Sequence, residues 1–265
     1  MISKDRKNLA RTLVGLASNY LLKNFHKVKT GSAKSDGTLV SVVDRAVEKL
    51  ILSRIAAAFP KDGILSEESQ PTSGENDYVW IVDPLDGTHN FLAGLPLFGT
   101  LLALAKNEDV IFAACAFPLL NEFFIAERGK GAHCNGKRIH VSKSAQLKGE
   151  LFLSDGTYNT RAQIMRDVDR MTKSRLRLRI LGTTPLSMTR VACGAAICAT
   201  NRAGTPWDIA APALIVEEAG GRVTEPNGKR WSVHSKELVA TNGIVHRQVL
   251  EILKVNPKSE TRNPK

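Results

Sequence analysis

Two aspartates that directly follow a short apolar run constrain the fold of this chain more than any other feature. Residues 79–82 are continuously apolar and lead into the motif Asp83-Pro84-Leu85-Asp86-Gly87-Thr88. Such a run is typical of a buried strand. Pro84 fixes its own φ angle and favours extended backbone at Asp83. We therefore predict that the strand ends at Asp83-Pro84 and that two carboxylates project from the turn that follows.

This turn offers the ligands that hard divalent cations prefer. The side chains of Asp83 and Asp86 and the backbone carbonyl of Leu85 are oxygen donors. The N–H groups of Gly87 and Thr88 can point at an anion if these residues open a helix. An acidic pair beside such amides is suited to binding a metal ion and a phosphate together.

Acidic side chains at two other places support the metal interpretation. Glu67 and Glu68 follow the short apolar stretch 63–65, and Asp208 precedes the apolar segment 209–219, which we predict to be a helix. A lone aspartate at a helix start is usually a cap, and an isolated acidic pair is usually a surface turn. Their joint occurrence at strand ends and helix starts favours a single metal-binding cluster.

The remaining pattern predicts an α+β architecture in two parts, of which the first is itself α+β and the second is α/β. The first part, 1–144, contains amphipathic helices around 9–21 and 42–51, strands over 97–105, 110–117 and 122–126, and a meander that extends to residue 141. The second part, 145–255, contains a strand near 151–153, a basic helix from residue 160, a strand over 176–181, and helices over 185–199 and 209–219. We predict that residues 256–265 form a disordered tail.

Composition restricts the location and the partners of the chain. Four cysteines without a CxxC pair indicate reduced thiols in a cytoplasmic protein, and we interpret Cys193 and Cys198 as packing groups of the helix over 185–199. No apolar run approaches the ~20 residues that span a bilayer, so we expect no membrane partner.

The net charge of +11 is concentrated in three basic segments, 1–34, 161–180 and 254–265. Nucleic-acid binding is open but less favoured than a solvated surface, because no aromatic residue interleaves 161–179 for base stacking.

Two longer motifs resemble the signatures of the inositol monophosphatase family. They are W-I-V-D-P-L-D-G-T-H-N-F over 80–91 and W-D-I-A-A-P-A-L-I-V-E-E-A-G-G over 207–221. Supporting matches in the family's order are Lys34-Ser35-Asp36-Gly37-Thr38 with Asp44, the segment 66–69, and Gly182-Thr183-Thr184. The resemblance covers roughly residues 10–253. It implies a layered αβαβα sandwich, Mg²⁺-dependent and lithium-sensitive hydrolysis of a phosphate monoester, and two or three Mg²⁺ ions per site.

The resemblance also implies roles for individual residues. The metal ligands are Glu67, Asp83, the carbonyl of Leu85, Asp86 and Asp208, and the phosphate cradle is Gly87 and Thr88. Asp44 and Thr88 act with Glu67 to orient and deprotonate the attacking water, and Lys34 and Asp36 belong to a mobile loop. The substrate contacts are Asp86, Gly182, Thr183, Thr184 and Asn201.

Departures from the family pattern lie at the substrate rim rather than among the ligands. Ala93 occupies a position that is usually polar, and His89 stands where many members have threonine. Asn201 stands where animal inositol phosphatases place a glutamate that holds sugar hydroxyls. We interpret His89 as an ordinary surface or structural histidine rather than a metal ligand.

Two classes of function remain open at this point. The leading hypothesis is hydrolysis of a small polyol phosphate, above all inositol monophosphate. Histidinol phosphate is the alternative, and 3′-phosphonucleotides and fructose bisphosphate are less favoured. The other class is a protein that binds RNA or a transcription partner and retains vestigial activity, but binding alone gives no reason for the complete acidic set. We also expect a homodimer, since the apolar meander 110–126 would otherwise offer an exposed edge.

Overall fold

Helices and sheets alternate in five layers in the computed structural model, which describes residues 2–34 and 39–254. The helices are α1 (Lys4–Asn24), α2 (Val42–Ala58), α3 (Thr88–Ala93), α4 (Arg161–Lys173), α5 (Thr184–Ala192), α6 (Pro206–Glu218) and α7 (His246–Leu253). The strands are β1 (Ser32–Ala33), β2 (Leu39–Val40), β3 (Gly63–Ser66), β4 (Tyr78–Asp86), β5 (Gly99–Lys106), β6 (Asp109–Phe117), β7 (Glu122–Glu127), β8 (Gly131–Cys134), β9 (Lys137–Arg138), β10 (Leu151–Asp155), β11 (Arg177–Arg179), β12 (Cys198–Asn201), β13 (Arg222–Thr224) and β14 (Leu238–Thr241).

The strands form two large sheets and one small ribbon. The seven-stranded sheet has the order β3-β4-β5-β6-β7-β8-β9, and only its β3–β4 pair is parallel. The five-stranded sheet has the order β11-β10-β12-β14-β13, with β10 parallel to both of its neighbours. Strands β1 and β2 pair only with each other.

Apolar helix faces hold the layers together. Helices α1 and α2 cover one face of the seven-stranded sheet, α5 and α6 fill the space between the two large sheets, and α4 and α7 cover the outer face of the five-stranded sheet. Helix α6 is buried continuously from Ile209 to Val216, as expected for a helix packed between two sheets. The predicted α+β fold with αβαβα layers is confirmed. None of the described helices combines the length and the apolar character needed to cross a membrane.

The strand that carries the aspartates is longer than predicted. Strand β4 continues through Pro84 to Asp86. Asp83 pairs with Leu101 and Asp86 with Gly99, so β4 contains one extra residue in this interval. Such a bulge bends a strand locally and tolerates a proline without an N–H group. The predicted end at Asp83-Pro84 is therefore wrong, and the carboxylates project from a bulge rather than from a turn beyond the strand.

The helix predicted over 185–199 is also shorter in the structure. Helix α5 ends at Ala192 with Cys193 as its C-terminal cap, and Gly194 follows with a φ of +73°. A left-handed glycine at this position is a common way to end a helix. Cys198 then begins β12 and is buried in the sheet. The placement of Cys193 and Cys198 within one helix is therefore wrong.

Two predictions about larger units have different outcomes. The edge argument for a homodimer is wrong, because β6 and β7 lie inside the seven-stranded sheet, whose edges are β3 and β9. The dimer itself stays a prediction.

The boundary at 144 also stays a prediction: it lies between the last strand of one sheet and the first of the other, but a single apolar core joins both sheets. The predicted tail, 256–265, lies outside the described residues.

Candidate active site

A cleft opens where the end of β4 meets the first turns of α3 and α6. Its volume is about 150 Å³. Most of the predicted site residues line it, together with two that were not predicted there: the lining comprises Leu39, Glu67, Asp83, Leu85, Asp86, Gly87, Thr88, His89, Gly182 and Asp208. The structure therefore brings four acidic side chains from three separate stretches of sequence to one small cleft.

Three of these carboxylates form a compact cluster. One oxygen from each of Asp83, Asp86 and Asp208 lies within 4.8 Å of the others. Asp83 Oδ1 accepts a hydrogen bond of 3.0 Å from the N–H of Leu85, whereas Asp83 Oδ2 is buried and has no partner among the described residues. A buried, unpartnered carboxylate oxygen is costly unless a cation binds it. The all-oxygen donor set fits Mg²⁺.

Burial and mutual repulsion disfavour the charged form of this cluster. Burial, followed by the nearby carboxylates, raises the pKa of Asp83 and Asp86 well above the usual range for aspartate. Burial also raises the pKa of Asp208 to about 6. A divalent cation among these groups would restore their charged form, because an opposite charge at close range favours ionisation.

The same capping motif positions two of the acidic residues. Asp44 and Asp208 are each the third residue of a helix, and each completes a capping box with Ser41 or Thr205. The N–H of Ser41 donates to Asp44 Oδ2 at 2.8 Å, and the N–H of Thr205 donates to Asp208 Oδ2 at 3.4 Å. Each capping interaction occupies Oδ2 and leaves Oδ1 for another partner.

Thr88 links the bulge of β4 to Asp44. Its buried hydroxyl donates to Asp44 Oδ1 at 2.9 Å, and Thr88 Oγ1 also lies 3.0 Å from the carbonyl oxygen of Leu85. Gly87 caps α3, and Thr88 is the first residue of this helix. Gly87 has a φ of +76°, and a Cβ at this position would lie 2.7 Å from the carbonyl oxygen of Leu97. Only glycine fits this point of the chain without strain.

A second carboxylate network fixes the turn that carries Glu67. The buried side chain of Glu48, on α2, accepts hydrogen bonds from the Ser66 hydroxyl, from the N–H of Glu68 at 3.1 Å and from the Ser69 hydroxyl at 2.7 Å. Burial raises the pKa of Glu67. Glu48 therefore positions the loop from which Glu67 reaches the cleft.

Lys34 contributes the positive charge nearest to Glu67. Its Nζ lies 2.6 Å from Glu67 Oε1 and 2.5 Å from Glu68 Oε1. The structure thus places Lys34 beside Glu67, and its membership of a mobile loop stays a prediction. Asp36, the other residue of the predicted loop, lies outside the described residues.

Of the residues predicted to contact the substrate, some lie at the cleft and others are buried away from it. Gly182 lines the cleft, and the Thr183 hydroxyl donates to Asp86 Oδ2. Thr184 and Asn201 are buried behind them, where Asn201 Nδ2 donates to Thr184 Oγ1 at 2.6 Å. Asn201 Oδ1 accepts from the N–H of Ala203 at 2.6 Å. The structure therefore brings Gly182 and Thr183 to the cluster but directs the polar atoms of Asn201 to its own neighbours.

Sequence reasoning missed two residues near the cluster. His89, which we interpreted as an ordinary histidine, lines the cleft. Asp155 ends β10, is buried, and has an Oδ2 atom without a partner among the described residues. Burial raises the pKa of Asp155 to about 6. The signals were available: His89 directly follows Thr88 in the motif, and Asp155 comes shortly after the apolar run 151–153, as Asp83 follows 79–82.

Comparison with known proteins decides the family. A family model described as "Inositol monophosphatase family" matches residues 4–257. The chain belongs to the inositol monophosphatase family. Members of this family are phosphatases that act on phosphoric monoesters and generally use Mg²⁺, so the chain is a phosphatase of this family with an acidic cluster suited to that ion.

Three relatives illustrate the range of named activities. The chain is 36% identical to a fructose-1,6-bisphosphatase/inositol-1-monophosphatase of Thermotoga maritima, over 94% of this chain and 96% of the relative. It is 34% identical to a histidinol-phosphatase of Chlorobaculum parvum (82% and 84% covered) and 35% identical to a Nus factor SuhB of Xylella fastidiosa (86% and 84%). The solved structure of a Thermotoga maritima inositol monophosphatase superposes with a TM-score of 0.86, at 35% identity over 94% of this chain and 96% of that one.

Proposed function

We propose that the chain is a Mg²⁺-dependent phosphatase whose preferred substrate is a small polyol phosphate, with inositol monophosphate as the first candidate. The cluster of Asp83, Asp86 and Asp208 carries this proposal, because its oxygens lie within 4.8 Å and Asp83 Oδ2 is buried with no partner in residues 2–34 and 39–254. A phosphate dianion would be repelled by such a cleft unless cations neutralise it.

In this proposal the ligands come from both sides of the cleft. Glu67, Asp83, Asp86, Asp208 and the carbonyl of Leu85 hold two or three Mg²⁺ ions. Bound Mg²⁺ supplies charge neutralisation, activation of water and stabilisation of the leaving oxygen. The N–H groups of Gly87 and Thr88 face the phosphate and fix its orientation.

The chain's own residues receive the proton from the attacking water. The Thr88 hydroxyl donates to Asp44 Oδ1 at 2.9 Å, which leaves a lone pair of Thr88 Oγ1 to accept a hydrogen bond from water. Asp44 is oriented by Ser41 through its other oxygen. Water that loses a proton to this relay, while Glu67 holds it in place, attacks the phosphorus; the P–O bond to the alcohol breaks, and the leaving oxygen takes a proton from solvent water. No residue has to become covalently phosphorylated.

Substrate preference depends on the few side chains that surround the alcohol. We place the hydroxyl contacts on Asp86, Gly182 and Thr183, with Thr184 and Asn201 acting behind them. The relatives named for histidinol phosphate and fructose bisphosphate keep these two substrates as alternatives.

A phosphate-release panel tests the proposal. Inositol monophosphate, histidinol phosphate, fructose 1,6-bisphosphate and a nucleoside 3′-phosphate are compared by kcat/KM, with Mg²⁺ and with EDTA. We expect Mg²⁺-dependent release that is fastest with inositol monophosphate. Release that persists in EDTA would contradict the metal assignment, and a different best substrate would contradict the substrate assignment alone.

Three further properties belong to this proposal. We expect inhibition by millimolar Li⁺, because a small monovalent ion fits an oxygen site but supplies half the charge of Mg²⁺; a Li⁺ titration with Na⁺ as control tests this. We expect a homodimer, which light scattering at micromolar concentration tests. We expect a cytoplasmic location, which fractionation of the source cells tests.

A second candidate function is binding to RNA or to a transcription partner. The resemblance to a protein named as a Nus factor and the basic segments of the chain favour it. Gel-shift measurements with Asp86→Asn would separate it from hydrolysis. Specific RNA binding that is unaffected by this substitution, together with no activity of the unaltered chain in the substrate panel, would favour binding as the main role.

A further inference from the structure

A second cavity lies on the opposite side of the five-stranded sheet from α5. It is bounded by α4 and α7 and by the residue that follows β12, Arg202, and its volume is about 330 Å³. We call it the α4–α7 cavity. Within the described part of the chain, no residue lines both this cavity and the catalytic cleft. Its size lies at the lower end of the range for small-molecule sites.

A fixed network neutralises the acidic side chains of this cavity. Arg202 is buried and binds Asp167 through Nε at 2.6 Å and through Nη2 at 2.8 Å. Its Nη1 binds Glu237 Oε2 at 2.8 Å, and the amide of Gln163 donates to Glu237 Oε1 at 3.1 Å. Both carboxylates are therefore occupied by donors, and the bidentate pair gives the cavity a rigid floor.

The other charged residues of the cavity are all basic. Arg166, Arg170 and Lys254 line it, and none of them forms an ion pair with a carboxylate of residues 2–34 or 39–254. Arg170 Nη1 donates to the carbonyl of Leu253 at 3.0 Å, which holds its guanidinium near the end of α7. With Arg202, the described lining contains four basic residues. It contains two acidic residues, Asp167 and Glu237, so its net charge is +2. This excess equals the charge of a phosphate monoester dianion.

From this geometry we propose that the α4–α7 cavity binds a small phosphate monoester of sugar or nucleoside size. Arg166, Arg170 and Lys254 contact the phosphate, and the floor formed by Arg202 with its two carboxylates remains in place. A nucleic-acid strand fits less well, because no aromatic side chain of the described residues lines the cavity to stack a base. The basic segment 161–180 thereby gains a specific role that does not depend on the proposed catalytic function.

The site has a direct backbone connection to the catalytic side of the sheet. The N–H of Arg202 donates to the carbonyl of Asp155 at 3.2 Å, and the preceding residue, Asn201, binds Thr184. The test therefore measures ligand binding to the α4–α7 cavity and not the rate of catalysis.

The experiment measures binding in EDTA, where the acidic catalytic cleft repels anions. Glucose 6-phosphate and inorganic phosphate are titrated into the full chain by calorimetry at physiological ionic strength. We expect saturable binding of glucose 6-phosphate, with one molecule per chain and unchanged affinity in Asp86→Asn. Arg166→Gln/Arg170→Gln should weaken binding at least ~10-fold, because two charge-assisted contacts are removed.

Matched variants control for charge and for folding. Arg54→Gln/Arg138→Gln removes two exposed arginines outside the cavity and should change the affinity less than ~2-fold, since distant exposed charges are largely screened. Arg166→Gln alone removes no ion pair or hydrogen bond recorded for the described residues, so it tests the site even if the double variant is poorly folded. We expect this single variant to weaken binding at least ~3-fold.

Three results would overturn the proposal. They are equal affinity in the unaltered chain and in Arg166→Gln, absence of saturable binding up to millimolar ligand, and loss of binding in Asp86→Asn. A short single-stranded RNA that binds more tightly than the monoester and competes with it would also overturn it in favour of nucleic acid.

Discussion

The two walls of the catalytic cleft differ in how their polar groups are held. On the N-terminal wall, residues 39–89, local motifs fix the acidic side chains. The capping box holds Asp44, and the bulge of β4 holds Asp83 and Asp86. The turn that is bound to Glu48 holds Glu67. On the C-terminal wall, residues 182–208, Thr184 and Asn201 bind each other. The N-terminal wall presents charged side chains to the cleft, whereas Thr184 and Asn201 of the C-terminal wall form a hydrogen bond with each other.

This difference separates two tasks that share one cleft. The N-terminal wall matches the family motif at every proposed ligand, and the C-terminal wall contains Asn201, where the sequence departs from it. Thr183 and Asp208 connect the walls, because Thr183 donates to Asp86 and Asp208 joins the cluster. We infer that the first wall determines the chemistry and that the second adjusts the choice of alcohol.

The largest expected effect is on the N-terminal wall. Asp86→Asn removes one carboxylate of the cluster, a ligand in the proposed metal site, and should lower kcat by at least ~10³-fold at saturating Mg²⁺ through loss of electrostatic stabilisation. The fold should remain stable, because one charge of a repelling group is removed. Steady-state kinetics and circular dichroism measure both. An unchanged kcat in Asp86→Asn would show that the N-terminal wall does not determine the chemistry.

A smaller loss is expected when the support of the same wall is weakened. Glu48→Gln replaces the carboxylate that accepts three hydrogen bonds from the turn around Glu67. We expect ~10–100-fold weaker Mg²⁺ activation, with kcat largely recovered at high Mg²⁺, as for other groups that orient metal ligands.

Glu127→Gln is the matched control for this prediction. Glu127 binds Lys7 outside the cleft, so its loss should leave Mg²⁺ activation unchanged. If Glu48→Gln and Glu127→Gln behave alike in a Mg²⁺ titration of activity, Glu48 has no positioning role.

The C-terminal wall should respond in specificity rather than in rate. Asn201→Ala removes the bond to Thr184 and should change the ratio of kcat/KM for inositol monophosphate and histidinol phosphate by roughly 3–10-fold. Thr200→Val removes a buried hydroxyl from the opposite face of the same strand and should leave the ratio unchanged. A fall in kcat of Asn201→Ala as large as that of Asp86→Asn would contradict the comparison.

The smallest expected effect is a pH dependence of stability in EDTA. The folded-state pKa of Asp155 and of Asp208 is about 6, above the value of ~3.9 for an unfolded aspartate. Between these values the folded chain binds more protons than the unfolded chain, so the free energy of unfolding falls as pH rises. Thermal denaturation should give a Tm that is roughly 3–6 °C lower at pH 7.5 than at pH 5.

Saturating Mg²⁺ should reduce this slope, because the ion stabilises the charged carboxylates of the folded chain. A fall in Tm from pH 5 to pH 7.5 that is as large with Mg²⁺ as in EDTA would show that the cluster does not carry repelling charge.

The contrast between the walls also explains what the sequence could predict. Asp83, Asp86 and Asp208 follow from short patterns, because apolar runs and helix starts depend on neighbours within a few residues. The layered fold follows from the periodicity of its elements and from the family resemblance. These features do not require knowledge of distant contacts.

Features that depend on distant contacts were not predictable in the same way. The continuation of β4 through Pro84 depends on its pairing with β5, and the end of α5 depends on the conformation of Gly194. The roles of Glu48 and Asp155 depend on which loop the fold brings beside them. A carboxylate in a sequence does not reveal whether its partner is a serine hydroxyl, a lysine or no group at all.

The central claim is that the cluster of Asp83, Asp86 and Asp208 binds the Mg²⁺ that activity requires. Calorimetric titration of Mg²⁺ into the unaltered chain, Asp83→Asn and Asp77→Asn tests it most directly. Asp77 is an exposed aspartate just before the same strand and serves as the control. We predict at least ~10-fold weaker Mg²⁺ binding in Asp83→Asn and unchanged binding in Asp77→Asn. Equal Mg²⁺ affinity in all three proteins would contradict the claim.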